Sequence, residues 1–173
     1  MHRRLSKQLI PSIVTLILRL AAAPVFYYIF LNNSYILAIA VFVLAAFTDI
    51  IDGMVARNLG ATSDVGAYLD ASVDFILILV VFLAFFQKSW YGLSLFALII
   101  VPFMAFVITS GLKRPVYDPV GKYLGAFLML MIFLTLLIPH PMIRKVVTLV
   151  LLVLCTISMI SRIRYLSREV EMA

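Results

Sequence analysis

The stretch that decides the fold is VGAYLDASVDFILILVVFLAFFQ, residues 65–87. Residues 75–86 are all apolar, and the whole stretch is long enough to cross the roughly 30 Å hydrocarbon core of a bilayer as a helix. The same helix carries Asp70 and Asp74 near its start. Because carboxylates inside a membrane span are costly and must face a polar cavity, this stretch predicts both a membrane fold and a polar site.

The composition of the whole chain agrees with a membrane protein. Of its 173 residues, 65% are hydrophobic and 13% are charged, and the mean hydropathy is +1.15. A soluble domain is about half apolar and a quarter charged, so an ordinary soluble globular protein is excluded. The length predicts a single domain, residues 1–173, with room for about six transmembrane helices. We attribute the net charge of +6 to membrane orientation and expect no nucleic-acid partner.

Six apolar stretches with short polar breaks predict an all-α polytopic membrane protein. The predicted spans are residues 10–31, 35–56, 65–87, 89–112, 123–138 and 146–161. A short interfacial helix is predicted over residues 2–9, which carry basic side chains just before the first span. The first span resembles a signal peptide, but it is too long and lacks a small-residue cleavage site, so we expect it to be retained.

Lysine and arginine residues are concentrated on one side of the predicted bundle. With the N-terminus inside, ten of them fall in inside segments and three outside, the latter being Lys88, Arg144 and Lys145. The positive-inside rule then places both termini and the active site on the cytoplasmic side of a multi-pass cell-membrane protein. The single cysteine, Cys155, excludes a disulfide framework, and we expect it and His140 to have no role in a site.

Five of the eight acidic residues fall within 26 positions. Asp49 and Asp52 are spaced i,i+3, and each such pair lies on one face of a helix. Asp70 and Asp74 form a second pair at i,i+4, whereas Asp64 is expected to cap the third span. Two antiparallel neighbouring helices can bring the four carboxylates together. Oxygen donors without histidine or cysteine suit Mg²⁺ or Mn²⁺, and four of them suffice for two ions.

Small and basic residues flank these aspartates. Gly53 and Gly66 each weaken a helix by about 1 kcal/mol relative to alanine, which indicates the close approach of a ligand or of another helix. Arg57 can pair with a phosphate or can anchor the helix end. Taken singly, Gly53 and Gly66 fit helix packing better than ligand contact, and Arg57 fits a positive-inside anchor better than a binding residue.

In order, the residues read Asp49-x2-Asp52-Gly53-x2-Ala56-Arg57-x8-Gly66-x3-Asp70-x3-Asp74. This pattern resembles the defining motif of the CDP-alcohol phosphotransferase family, with every fixed residue present. The resemblance implies a transferase of phospholipid biosynthesis that moves a phosphatidyl-type group from CDP-diacylglycerol or CDP-archaeol to an alcohol and releases CMP. It implies two ions, Mg²⁺ or Mn²⁺, and we expect a homodimer.

The resemblance also implies a role for each motif residue. Asp49 and Asp70 would contact both ions, and Asp52 would hold the first. Asp74 would contact the second ion and act as the general base on the acceptor hydroxyl. The CDP-lipid site would be lined by Ser12, Thr15, Gly53, Arg57, Ser63 and Gly66. Arg19 falls one position later than in many relatives, so its role stays open.

Cations at the inner ends of spans four to six predict a phosphorylated acceptor. These acceptor-binding candidates are Lys113, Arg114, Lys122, Arg162 and Arg164. Charge-assisted hydrogen bonds from them would bind a phosphate, although the positive-inside rule explains such charges as well. Glycerol 3-phosphate ranks first as acceptor, and an inositol phosphate, serine and phosphatidylglycerol are alternatives within the family.

Two hypotheses from other classes compete with an enzyme. A divalent-cation transporter would also place aspartates inside spans, but residues 75–81 are apolar and leave no polar path beyond Asp74. A non-catalytic membrane scaffold gives no reason for the four aspartates.

Overall fold

The structure, a computed structural model, describes the backbone of residues 2–58, 64–110 and 121–171, and the side chains of residues 16–48, 51, 54, 68–109 and 123–164. Within these ranges the chain is all-α, as predicted, with no strand. Its helices are α1 (His2–Leu31), α2 (Tyr35–Asn58), α3 (Asp64–Gln87), α4 (Ser94–Ser110), α5 (Gly121–Leu137) and α6 (Pro141–Glu171). The chain divides into two compact units, Met1–Ala84 and Phe85–Ala173.

The helix boundaries correct three of the predicted ones. Residues 2–9 are helical but continue without a break into α1, so they form no separate helix. Span four was predicted from residue 89, whereas α4 begins at Ser94. Span six was predicted over residues 146–161, whereas α6 runs from Pro141 to Glu171. Proline is favoured in the first turn of a helix, and charged residues extend α6 at its other end beyond the apolar run.

Membrane crossing is supported most strongly for two helical segments. Among the described residues, Tyr68–Gln87 and Pro141–Arg164 are long and apolar enough to span a bilayer. In α1, α2, α4 and α5, the apolar segments with described side chains are 10–17 residues long.

In the first unit, α1 and α2 form an antiparallel hairpin closed by a Schellman turn. The Asn33 amide donates to the Phe30 carbonyl and the Ser34 amide donates to the Ile29 carbonyl, at 3.0 and 3.2 Å. Asn33 adopts the left-handed conformation with φ of 61°, which asparagine tolerates better than most residues. This turn explains why the polar break at residues 32–34 reverses the chain.

Aromatic rings and alanines fill the space between α1 and α2. Phe26 stacks on Phe30 with ring centroids 5.6 Å apart and meets Phe42 edge-on at 6.4 Å. Ala38 and Ala45 are buried on α2. Small residues permit close helix approach while aromatic pairs supply contact area. The packing fixes α1, and therefore Arg19, within the first unit.

In the second unit, α6 contacts α4 at a backbone carbonyl that a proline leaves without its usual donor. Pro102 lies inside α4 and has no amide hydrogen, so the Leu98 carbonyl one turn earlier lacks its usual helical donor. The Cys155 thiol of α6 donates to that carbonyl at 3.2 Å. Cys155, for which the sequence predicts no role in a site, is buried and satisfies a backbone acceptor.

Hydroxyl groups within the helices are satisfied by the helices themselves. All five threonines with described side chains donate to a carbonyl three or four residues earlier in the same helix: Thr48, Thr109, Thr135, Thr148 and Thr156. In lipid, no water is available to pair with such groups. The pattern therefore suits helices that contact a bilayer.

Candidate active site on helices α2 and α3

The four aspartates of the motif lie on two consecutive helices. Asp49 and Asp52 are in the second half of α2, and Asp70 and Asp74 are in the first half of α3. Because both stretches are helical, the i,i+3 and i,i+4 spacings place each pair of aspartates on one face of its helix, as predicted. The side chains of Asp49 and Asp52 lie outside the described residues, and α3 begins at Asp64, the position predicted for its cap.

The two described carboxylates differ in their surroundings. Asp70 is exposed, whereas the side chain of Asp74 is 29% exposed. They lie one helical turn apart, where Cβ atoms are about 5–6 Å from each other. Asp74 is therefore the more enclosed member of the pair, as suits a group that has to be held in one orientation.

Arg19 of α1 forms an ion pair with Asp74. The Arg19 Nη1 atom donates to Asp74 Oδ1 at 2.6 Å, and the side chain of Arg19 is only 3% exposed. A buried guanidinium without a carboxylate would be costly in an apolar environment. The ion pair therefore explains how an arginine is accommodated within α1, and it ties α1 to the aspartate-bearing helix.

Arg19 was the residue whose role the sequence left open. It lies one turn after Thr15 on α1, and the helix places it against Asp74 rather than at the membrane surface. The signal available from sequence was its position: apart from the four aspartates, it is the charged residue lying well inside a predicted span. Intramembrane charges usually face partners of opposite sign.

The predicted CDP-lipid residues lie on the same three helices, but their side chains are outside the described set. Ser12 and Thr15 are on α1, Gly53 and Arg57 on α2, and Gly66 in the first turn of α3. Ser63 lies outside the described residues altogether. The assignment of these residues to a CDP site therefore stays a prediction.

The predicted acceptor cations are not brought together among the described residues. Lys113 and Arg114 lie outside the described residues, and Lys122 is in the first turn of α5 with its side chain outside them. Arg162 and Arg164 are both on α6, but two residues on a helix are about 200° apart. They therefore point to opposite sides of α6.

Arg162 of α6 is buried against α4. Its side chain donates from Nη1 to the Ala105 carbonyl at 3.3 Å and to the Thr109 hydroxyl, and its guanidinium lies 5.9 Å from the centre of the Phe106 ring. Arg162 is 6% exposed, whereas Arg164 is exposed. Of these two arginines, Arg164 is therefore the one that is accessible to a water-soluble ligand.

The donor set fits a hard divalent cation. The candidate ligands are all carboxylates, and Mg²⁺ and Mn²⁺ prefer oxygen donors. Among the described side chains no group of three or more histidine, cysteine or acid residues occurs, since only two of the four aspartates are among them. The i,i+4 pair on α3 is thus the described half of the predicted site.

Comparison with known proteins assigns the chain to a family. The profile of the CDP-alcohol phosphatidyltransferase family matches residues 8–160. The chain belongs to this family. The family resemblance seen in the aspartate motif is thereby confirmed, and members of the family are phospholipid-synthesis transferases that generally use divalent metal ions.

Individual relatives share the same name or a related one. The chain is 41% identical over 88 residues to CDP-diacylglycerol--glycerol-3-phosphate 3-phosphatidyltransferase of Wigglesworthia glossinidia brevipalpis, covering 47% of each chain. It is 37% identical over 82 residues to the same-named protein of Pseudomonas fluorescens, covering 46% of this chain and 42% of that one. It is 36% identical over 76 residues to the cardiolipin synthase (CMP-forming) of Rattus norvegicus, covering 43% of this chain and 25% of that one. These matches span less than half the length of the relatives.

Proposed function

We propose that the chain is an integral membrane enzyme that transfers a phosphatidyl group from CDP-diacylglycerol to glycerol 3-phosphate and releases CMP. Family membership over residues 8–160 supports the reaction class, and the names of two bacterial relatives favour this acceptor. The geometric observation that carries the proposal is the Asp74 carboxylate held by Arg19, one turn from Asp70. CDP-archaeol is the alternative donor, with the same pyrophosphate chemistry.

We place all six helices in the bilayer. Large apolar side chains are exposed on many of them, including Ile36 at 83% and Ile108 at 76%, and monomeric soluble proteins rarely expose extended apolar surface. Lipid would cover these faces, and a second copy of the chain would cover part of them in the expected homodimer. Mass photometry of the protein in lipid nanodiscs tests the dimer, because a mass of one chain would contradict it.

We assign two divalent ions, Mg²⁺ or Mn²⁺, to the carboxylates of Asp49, Asp52, Asp70 and Asp74. Bound there, the ions would neutralise the pyrophosphate oxygens and stabilise the departing CMP. Arg57 would add a cation able to bind a phosphate oxygen. Ser12, Thr15, Gly53, Ser63 and Gly66 are the further residues that we assign to the CDP-lipid.

Asp74 is the general base in this proposal. The acceptor hydroxyl forms a bond to the lipid-side phosphorus, the bond from that phosphorus to CMP breaks, and the hydroxyl proton passes to Asp74. Arg19 is a positioning residue in this proposal, because its hydrogen bond to Oδ1 restricts the orientation of the Asp74 carboxylate. A general base of this kind contributes about 10²–10⁴-fold to the rate.

We assign the phosphate of the acceptor to cations that follow α4 in sequence, begin α5 or lie in the second half of α6. Lys113, Arg114, Lys122 and Arg164 are the candidates, while Arg162 is already engaged by α4. The identity of the acceptor follows from an assay of purified protein with CDP-diacylglycerol, Mn²⁺ and each alcohol in turn, with the lipid product identified by mass spectrometry. Turnover of serine or free inositol without any response to glycerol 3-phosphate would contradict a phosphorylated acceptor.

We propose that the aspartates open to the cytoplasm. The ten-to-three bias of lysine and arginine supports this orientation. Single cysteines placed at Ser63 and Lys113 should react with a membrane-impermeant maleimide only from the cytoplasmic side, and one placed at Asn33 only from outside. The background for these variants is Cys155→Ala, and the opposite labelling pattern would reverse the orientation.

A further inference from the structure

The second unit contains a cavity just beyond the C-terminal end of α3. It has a volume of about 520 Å³ and is lined by the loop after α3, the start of α4 and the first turns of α6. Cavities of this size accommodate small ligands. Its polar wall includes Ser89, Ser94, Arg144 and Lys145, and its apolar wall includes Leu149 and Leu152.

A Schellman turn fixes the aromatic side of this cavity. The Ser89 amide donates to the Phe86 carbonyl at 2.8 Å and the Trp90 amide donates to the Phe85 carbonyl at 2.9 Å. Ser89 has a left-handed φ of 56°, and Trp90 stacks on Phe85 with ring centroids 5.6 Å apart, the apolar contact typical of this motif. Trp90 is therefore held in place by the end of α3.

Arg144 packs on Trp90, and one nitrogen of its guanidinium lacks a hydrogen-bond acceptor among the described residues. Its guanidinium carbon is 5.1 Å from the centre of the Trp90 ring. Its Nη1 atom is buried and has no hydrogen-bond partner among the described residues. Burying a donor of a charged group without a partner is costly, so a ligand with acceptor oxygens would relieve that cost.

Among the described residues, those that line this cavity include no carboxylate. There is no aspartate or glutamate between residues 75 and 117 or between residues 119 and 168. Burial raises the pKa of Tyr91 above its ordinary value, and the Thr135 hydrogen bond and Arg144 only partly oppose this. The phenol therefore stays neutral and gives Arg144 no counter-charge.

Helix α6 makes the excess of positive charge larger. Arg144 and Lys145 occupy its first two turns, and the N-terminal end of a helix carries a partial positive charge that disfavours cations. In the predicted orientation, both residues are also among the three cations on the outer side of the membrane. The positive-inside rule therefore does not explain why basic residues occur there.

We infer that this cavity binds the phosphate of an anionic phospholipid headgroup. Arg144 and Lys145 supply the positive charge, Ser89 and Ser94 supply hydroxyl donors, and Leu149 and Leu152 lie where acyl chains would begin. Basic pockets between membrane helices recognise anionic lipids in this way, and tryptophan favours the same interfacial depth. The inference rests on α3 and α6 crossing a bilayer, not on the transferase reaction.

The single tryptophan of the chain provides the test, because Trp90 lines the cavity. The purified protein is placed in bilayers of a neutral phosphatidylcholine that contain a small fraction of brominated lipid, whose bromine atoms quench nearby tryptophan. We expect brominated phosphatidylglycerol to quench Trp90 at a several-fold lower mole fraction than brominated phosphatidylcholine. Equal quenching by the two lipids would overturn the site.

Variants separate the cavity from general surface charge. Arg144→Gln and Lys145→Gln should each reduce the preference for the anionic lipid about fivefold, the effect of one basic residue near a membrane surface. Lys88→Gln is the matched control, since Lys88 lies next to the same loop but does not line the cavity. Equal loss in the control would overturn the inference, and Arg144→Lys should retain most of the preference if the charge is what binds.

Two further outcomes are distinguished by the same measurement. Relief of quenching by millimolar inorganic phosphate would assign the cavity to a free anion instead of a lipid and overturn the inference. Absence of quenching by either brominated lipid would contradict the membrane location of this end of α3. CMP release, measured on the same samples, reports separately on the proposed function.

Discussion

Two buried arginines, one in each unit, are accommodated in different ways. Arg19 pairs with a carboxylate, Asp74, at 2.6 Å. Among the described residues, Arg162 contacts neutral groups of α4, namely the Ala105 carbonyl, the Thr109 hydroxyl and the Phe106 ring. The first contact links a cation to a carboxylate of the candidate site, whereas the contacts of Arg162 with α4 hold two helices together. The comparison teaches that an arginine's partner, more than its burial, indicates its role.

The largest effect should come from the carboxylates on the Arg19 side of this comparison. Asp70→Asn should abolish CMP release, because it removes a charge that we assign to both ions. Asp74→Asn should lower kcat by at least about 100-fold, the lower end of the contribution of a general base, while CDP-lipid binding changes little. A rate above about a tenth of the wild-type value for Asp74→Asn would contradict its assignment as base.

Arg19→Met should lower both activity and stability. The substitution removes a charge-assisted hydrogen bond worth about 1.5–3 kcal/mol, so kcat should fall tenfold or more if Asp74 needs that bond for its position. Removing one partner of a buried ion pair leaves the other charge uncompensated, so Tm should fall as well, although by less than for a fully buried pair because Asp74 is 29% exposed. Arg19→Lys is the control that keeps the charge and should recover part of kcat. A lower Tm with unchanged kcat would make Arg19 a structural residue like Arg162.

Arg162→Ala should lower stability alone. It removes two hydrogen bonds and the packing of the side chain on α4, so the free energy of unfolding should fall by about 1–3 kcal/mol while both KM values stay near wild type. Arg164→Ala is the matched variant on the exposed face of α6, and it should leave Tm unchanged and raise KM for glycerol 3-phosphate. An unchanged Tm with a raised acceptor KM in Arg162→Ala would return Arg162 to the acceptor site.

The smallest effect should come from the thiol that pairs with a backbone carbonyl. Cys155→Ala should lower the free energy of unfolding by about 0.5–1.5 kcal/mol, the net value of a typical hydrogen bond. Pro102→Ala restores an amide donor to the Leu98 carbonyl, so Cys155→Ala should cost less in that background. A double-mutant cycle measures the difference, and additive effects would show that the thiol contact contributes nothing.

Much of the fold could be predicted from apolar run length and from the polar breaks. The helices α2, α3 and α5 begin and end within two residues of the predicted spans. The start of α4 could not be predicted in this way, because residues 89–93 carry no charge and look like part of the apolar span that follows them. After α3 the chain turns at Ser89, which adopts the left-handed backbone conformation. Serine at such a position predicts a turn less strongly than glycine or asparagine does.

The candidate site was predictable in its spacing but not in its contacts. Helical periodicity was enough to pair Asp70 with Asp74, since one element decides it. The Arg19–Asp74 ion pair joins residues 55 positions apart, and only the packing of α1 determines which carboxylate the arginine meets. Similarly, Arg162 and Arg164 looked equivalent in sequence, and the 200° between them on α6 gives one a buried and the other an exposed position.

Metal-dependent transfer at these aspartates is tested most directly by CMP release from CDP-diacylglycerol and glycerol 3-phosphate as a function of divalent ion concentration. The measurement compares the wild-type protein with Asp70→Asn, and with Arg164→Ala as a variant outside the carboxylate pairs. We expect no CMP release in excess EDTA. Addition of Mg²⁺ or Mn²⁺ should restore full CMP release in the wild-type protein, should restore it with a raised acceptor KM in Arg164→Ala, and should restore none in Asp70→Asn. CMP release that persists in EDTA, or that Asp70→Asn retains at the wild-type level, would contradict a metal-dependent transfer at these aspartates.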